Sequence, residues 1–248
     1  MNISIINGIG NSMKYWANYI CAVQRGKILN EGSIKYGISE YLVASENMDS
    51  NRNATSINQP SIKEVEFEKS HDVFKRRRSD LYFKASENDQ TIEIYFEFKY
   101  LRGYSLPYEE NNRYIDDLLR LASLLKNKSN CECYFMLVGN SETIKNILKT
   151  NSDTTRLTIA HISKHTSKDI NECLSLEYNH PQTVKLINLK DDKDQPHLAR
   201  FITKYEYKDE ITKLENNDEL NITLKYPKTS TNEMISDIGV YIWQIKIN

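Results

Sequence analysis

Strict alternation between residues 80 and 99 constrains this chain more than any other feature. In Thr91–Lys99 the residues Ile92, Ile94, Phe96 and Phe98 alternate with Glu93, Tyr95, Glu97 and Lys99. An extended strand therefore carries an apolar face and a charged one. In Asp80–Ala85, Leu81, Phe83 and Ala85 alternate in the same way with Asp80, Tyr82 and Lys84. The connection Ser86–Gln90 is polar, and Asn88 and Asp89 tolerate the positive φ that a two-residue hairpin turn requires. A turn at those two residues pairs Lys84 with Glu93, Tyr82 with Tyr95 and Asp80 with Glu97. On the other face Leu81 meets Phe96, Phe83 meets Ile94, and Ala85 meets Ile92.

That register keeps the apolar face intact and gives Lys84 and Glu93 as an ion pair. It also sets Asp80 opposite Glu97, and like charges facing across a ladder destabilise it. A divalent cation between the two carboxylates supplies the missing reason. Mg²⁺ is a hard ion that prefers carboxylate oxygens, with Mn²⁺ as its usual substitute. Lys99, two residues beyond Glu97 on the same face, is placed to orient a water or lower its pKa. Tyr82 and Tyr95 share this face, as stacking surfaces for a base or as cross-strand packing.

An Asp at the start of a hairpin followed by Glu-x-Lys on its second strand, here Ser79-Asp80 and then Glu97-Phe98-Lys99, resembles the PD-(D/E)XK nuclease superfamily. The resemblance covers roughly Glu31 to Gly139 in the order helix, strand, hairpin, helix, strand. It implies a restriction-endonuclease-like α/β core, a central mixed sheet flanked by helices, and Mg²⁺-dependent hydrolysis of phosphodiesters, usually in DNA. Asp80 and Glu97 would be the metal ligands, with the Phe98 carbonyl a further one, and Lys99 would act on the attacking water. Many members add a glutamate on the helix before the hairpin. Glu31 lies three residues before Ile34 and seven before Ile38, in phase with the core-facing stripe, whereas Glu40 lies off it. The role therefore falls to Glu31. One departure is that Ser79, not proline, precedes Asp80. Genome defence, as by a restriction enzyme, is the usual work of such stand-alone proteins. A catalytically silent nuclease fold used for binding or regulation, and an RNase with the same site, are the alternatives.

The rest of the chain sets the frame. Met13, Trp16, Ala17, Ile20 and Cys21 recur at helical spacing behind an N-cap at Asn11 or Ser12, and a second helix is expected from Glu31 to Ala44. Asn47–Pro60 reads as an exposed loop, followed by a strand at Val65 and Phe67. A helix over Asn112–Lys126, a strand at Tyr134–Val138 and a helix from Ser141 to Leu148, capped by Ser141, complete the core. Leu220–Tyr226 and Val240–Ile247 read as strands of a β-rich elaboration covering about residues 150–248. One α/β domain with its nuclease-like core at about 31–140 is the expected organisation. Residues after about Thr150 are candidates for sequence readout or for the contacts of a homodimer.

With 33 basic and 34 acidic residues the net charge is −1, so no global field draws the chain to nucleic acid. Lys75-Arg76-Arg77-Arg78 is a local exception beside Asp80, either a phosphate grip or a solvated strand end balancing nearby glutamates. Arg113 and Arg120 read better as helix surface than as substrate contacts. The cysteines Cys21, Cys131, Cys133 and Cys173 and the five histidines show no zinc spacing. Gly8-Ile9-Gly10 is not a dinucleotide fingerprint, and Gly103 and Gly139 stand alone, so no phosphate loop is present. The absence of an apolar run of about 18 residues or of a basic-then-apolar leader predicts no membrane partner and a cytoplasmic protein.

Overall fold

The computed structural model describes residues 3–23, 29–51, 61–70, 78–87, 90–101, 108–149, 174–186, 214–215, 217–228 and 238–248. They form an α/β structure in which a seven-stranded mixed sheet is flanked by helices. The helices are α1 (Ile3–Ala22), α2 (Glu31–Asn51), α3 (Tyr108–Asn127) and α4 (Ser141–Lys149). The strands are β1 (Ser61–Ser70), β2 (Arg78–Glu87), β3 (Gln90–Leu101), β4 (Cys131–Asn140), β5 (Pro181–Lys185), β6 (Glu219–Tyr226) and β7 (Ile238–Ile247). Their order across the sheet is β1-β2-β3-β4-β7-β6-β5. The pair β3–β4 is parallel and the other pairs are antiparallel. A parallel pair needs a long crossover, and α3 supplies it.

The hairpin register is the expected one. Leu81 pairs with Phe96, Tyr82 with Tyr95, Phe83 with Ile94, Lys84 with Glu93 and Ala85 with Ile92. Both faces of the hairpin are covered, however. Leu81, Phe83, Ile94, Phe96 and Phe98 pack with α1 and α2, while Tyr82, Tyr95 and Leu101 pack with α3 and α4. A central position in the sheet requires this, because the strands bury both sides. Tyr82 and Tyr95 are each 1% exposed with ring centroids 5.1 Å apart, so they are packing residues rather than a stacking surface. The Lys84–Glu93 ion pair is not formed. Lys84 reaches Glu64 on β1 at 2.7 Å, and Glu93 takes Lys128 at 2.6 Å and the Tyr95 hydroxyl at 2.9 Å. Neighbouring elements offer each charge a closer partner than the cross-strand one.

Helix limits differ from expectation in four places, the first being α3, which starts at Tyr108, one turn before Asn112. α1 starts at Ile3, a turn and more before Asn11, and continues through two glycines. Both glycines are there for close packing. A Cβ on Gly10 would stand 2.6 Å from the Tyr226 ring, and one on Gly8 would overlap the ring of Tyr41. α2 runs on to Asn51, into the stretch expected to be loop. Its start is fixed by a reciprocal cap in which Ser33 N donates to Asn30 Oδ1 and Asn30 N donates to Ser33 Oγ, each at 2.8 Å. The cap of α4 is Asn140, whose Oδ1 accepts from Thr143 N at 2.9 Å, not Ser141.

The C-terminal strands complete the same sheet, with β7 pairing along β4 from Cys133–Ile245 to Asn140–Ile238. No described helix is long and apolar enough to cross a membrane. Cys131 and Cys133 lie on one face, with Cys133 buried, as two small core residues. Cys173, His71, His161, His165 and His197 lie outside the described residues.

Candidate metal centre

The ladder between β2 and β3 stops at Leu81–Phe96, one step before the expected Asp80–Glu97 pair. Asp80 uses its side chain instead: Oδ2 accepts a hydrogen bond from Phe98 N at 2.7 Å. The carboxylate satisfies a backbone donor beyond the end of the ladder and avoids facing a second carboxylate across it. Glu97 is one residue away on β3, and its side chain points to the α3 side of the sheet, where the residue is 2% exposed.

Glu97 meets Arg120, whose guanidinium lies 3.1 Å from Oε2. The same Arg120 binds Asp117 one turn earlier on α3. Asp117 in turn ion-pairs with Lys99, whose Nζ lies 2.8 Å from Oδ2. Lys99 Nζ also donates to its neighbour's carbonyl, Phe98 O, at 3.1 Å, and stands 3.8 Å from Glu31 Oε1. Lys35, one turn after Glu31, ion-pairs Glu68 and lies 3.6 Å from Asp80 Oδ1. Asp80, Glu97, Lys99 and Glu31 are thus brought together at one end of β2 and β3. Asp117, Arg120 and Lys35 join them.

The three added residues escaped the sequence reading, which assigned Arg120 to the helix surface. It is 6% exposed and Asp117 is 4% exposed. A signal was present: Asp117 and Arg120 fall in phase with Tyr114, Leu118, Leu121 and Leu124, all buried on α3. Charged residues inside an apolar stripe are an informative departure from solvated-face behaviour. Glu31 differs in another way. It is exposed at the first helical position, where the helix dipole favours an acidic residue in any case, and its side chain overhangs the sheet toward Lys99. The core-facing stripe begins only at Ile34. Glu40 is exposed, as expected. Of the basic run, Arg78 is exposed at the start of β2, and residues 75–77 lie outside the described residues.

Electrostatics at this end of the sheet follow from burial. Removal from water pushes the Glu97 carboxyl well above the usual carboxylate range; Arg120 opposes this, Asp117 and Asp80 add to it, and Lys99 opposes it. For Lys99 burial acts to lower the pKa, but Asp117, then Glu31 and Asp80, outweigh it and the net shift is upward. The lysine is therefore a fixed cation at neutral pH. Asp117 Oδ2 is buried without a hydrogen bond of good geometry among the described residues, but the Lys99 ammonium stands 2.8 Å away. Glu97 Oε1 is buried and has no hydrogen-bond partner among the described residues. Such an atom costs about 1–3 kcal/mol, more when charged.

A hard divalent cation fits the donor set. Asp80 and Glu97 contribute carboxylate oxygens, the Phe98 carbonyl follows Glu97 directly on β3, and Glu97 Oε1 has no hydrogen-bond partner among the described residues. Among the described residues no group of three or more His, Cys, Asp or Glu side chains is arranged as a metal cage. The candidate set is two carboxylates and one main-chain carbonyl. Comparison with known proteins returned no matching family model, no matching curated protein and no matching solved structure.

Proposed function

We propose that this chain is a metal-dependent nuclease hydrolysing phosphodiester bonds in DNA, built on a PD-(D/E)XK-like core. The observation that carries this reading is the convergence of Asp80, Glu97 and Lys99 at one sheet end, with a buried Glu97 oxygen that has no hydrogen-bond partner among the described residues. The order α2-β1-β2-β3-α3-β4, with the hairpin in its expected register, supports it.

Asp80, Glu97 and the Phe98 carbonyl would hold Mg²⁺ or Mn²⁺, which supplies Lewis acidity and an acidified water when bound. Asp80 is kept in place by the Phe98 amide and Lys35, and Glu97 by Arg120 on its other oxygen, so both present fixed donors. Lys99, held cationic by Asp117, orients the attacking water and offsets charge developing on the phosphoryl oxygens. Its present bond to the Phe98 carbonyl must loosen for that carbonyl to serve as a ligand. Glu31 completes the shell as a water-holding carboxylate near Lys99. The water gives up a proton to solvent as its oxygen bonds to phosphorus, one phosphorus–oxygen bond to the sugar breaks, and the leaving oxygen takes a proton from solvent. Arg78, exposed at the start of β2, would hold a flanking phosphate.

One observation favours a second reading. Arg120 on Glu97 and Lys99 on Asp117 and the Phe98 carbonyl give the cluster internal partners, as a silent site retained for binding would have. Plasmid DNA incubated with the protein and Mg²⁺ or Mn²⁺, beside Asp80→Ala, Lys99→Ala and an EDTA control, separates the two. Cleavage lost in both variants and in EDTA is the expected result. No cleavage of DNA with either metal, or cleavage that survives both substitutions, overturns the proposal. An RNA substrate in parallel distinguishes an RNase from a silent fold.

A further inference from the structure

On the α1 side of the sheet, away from α3 and the Glu97 side chain, lies a cleft of about 850 Å³. That volume is within the roughly 300–1,000 Å³ of small-molecule sites. One wall is a ridge of α1. While Ile6, Ile9, Met13, Ala17 and Ile20 are buried against the sheet, Asn7, Asn11, Lys14, Tyr15, Asn18 and Tyr19 line the cleft. The other wall is Tyr226-Pro227-Lys228, at the end of β6. The two walls are tied together where the Tyr226 hydroxyl donates to Asn11 Oδ1 at 2.9 Å.

The chemistry of this lining is selective. Among the described residues it contains two lysines and no carboxylate, although the chain carries as many acidic as basic residues within one. A cleft of that character attracts an anion. Tyr15 and Tyr19, one turn apart, are 77% and 56% exposed, an unusual display of aromatic surface on a helix whose other face is core. The carboxamides bring paired donors and acceptors, and Asn18 Oδ1 is buried without a hydrogen-bond partner among the described residues. Flat aromatic surface, carboxamides and cations together match a ligand having an aromatic ring, polar ring edges and a phosphate.

We propose that this cleft is a second binding site, for a nucleotide unit. A base stacks on the tyrosine face, its edge takes hydrogen bonds from the asparagines, and its phosphate is held by Lys14 and Lys228. A free mononucleotide and a segment of single-stranded DNA present the same unit. The site shares no residue with the proposed metal centre, so it stands or falls separately.

Binding of fluorescein-labelled oligothymidylate of about ten nucleotides, followed by fluorescence anisotropy in EDTA, reads the site without cleavage. Wild type is compared with Lys14→Glu/Lys228→Glu, with the charge-neutral Tyr15→Ser/Tyr19→Ser, and with Lys145→Glu/Lys185→Glu as a control of equal charge change. Loss of affinity by about tenfold or more in the first two, with the control unchanged, is expected. Tyr15 and Tyr19 are exposed, so the second variant keeps the fold, which a thermal melt verifies. Displacement of the bound strand by ATP or thymidine monophosphate identifies a mononucleotide site; failure of both to compete identifies a strand site. No binding by wild type, or equal losses in the control, overturns the proposal.

Discussion

Arg120→Met removes the guanidinium that stands 3.1 Å from Glu97 Oε2 and also binds Asp117, and it keeps the side-chain volume. Glu97 is 2% exposed and Asp117 4%, so water cannot replace the lost partner. Two unit charges about 4 Å apart at an effective dielectric of about 20 interact by about 4 kcal/mol. Breaking a buried pair by removing one member costs about 3–5 kcal/mol. At about 2–4 °C per kcal/mol for a chain of this length, the melting temperature falls by roughly 6–20 °C. The pH dependence carries the sign. Burial already raises the Glu97 pKa above its unfolded value, and Arg120 is what opposes that rise. The native state therefore binds a proton more readily than the unfolded state, and stability declines as pH rises through the interval between the two values. Without Arg120 that interval extends further upward. The deficit of the variant is thus small while Glu97 is protonated in both native proteins, below the raised wild-type value, and grows as pH rises through and beyond it. Thermal unfolding followed by circular dichroism across a pH series from about 5 upward reads both effects. A drop that stays below about 2 °C throughout the series, or that does not grow with pH, refutes a role for Arg120 in neutralising a buried carboxylate.

Gly10→Ala tests the packing of α1: helix propensity alone would gain up to about 1 kcal/mol, yet the added Cβ meets the Tyr226 ring at 2.6 Å. A net loss of about 1–3 kcal/mol by chemical denaturation is expected, and any net gain contradicts the close-approach reading. Glu31→Gln, at an exposed position, leaves stability within about 0.5 kcal/mol but slows metal-dependent cleavage, whereas Glu40→Gln changes neither. Equal cleavage rates in the two variants would remove Glu31 from the proposed shell.

The hairpin was legible because two independent local signals agree, strict alternation and a turn pair that fixes its phase. The observed partners from Leu81–Phe96 to Ala85–Ile92 follow from that alone. Where outcome depends on distant elements, sequence patterns lose force. Lys84 and Glu93 stand opposite each other, but Glu64 on β1 and Lys128 after α3 take them. The start of α1 was hidden by Gly8 and Gly10, whose role is set by rings arriving from α2 and β6. β5 has only Val184 buried in a five-residue polar segment, too little alternation to read. At the candidate site Asp80, Glu97 and Lys99 were legible from spacing. Asp117 and Arg120 were not, because charged helix residues read as solvated until their phase with the buried stripe is noticed.

The proposed nuclease depends on Asp80, Glu97 and the Phe98 carbonyl holding a divalent cation. Anomalous diffraction at the manganese edge, from crystals of the protein soaked in Mn²⁺, tests it most directly. The expected result is a peak among those oxygens, on Glu97 Oε1, with Lys99 Nζ withdrawn from the Phe98 carbonyl. A saturating soak that leaves Lys99 on that carbonyl and shows no peak beside Glu97 contradicts it.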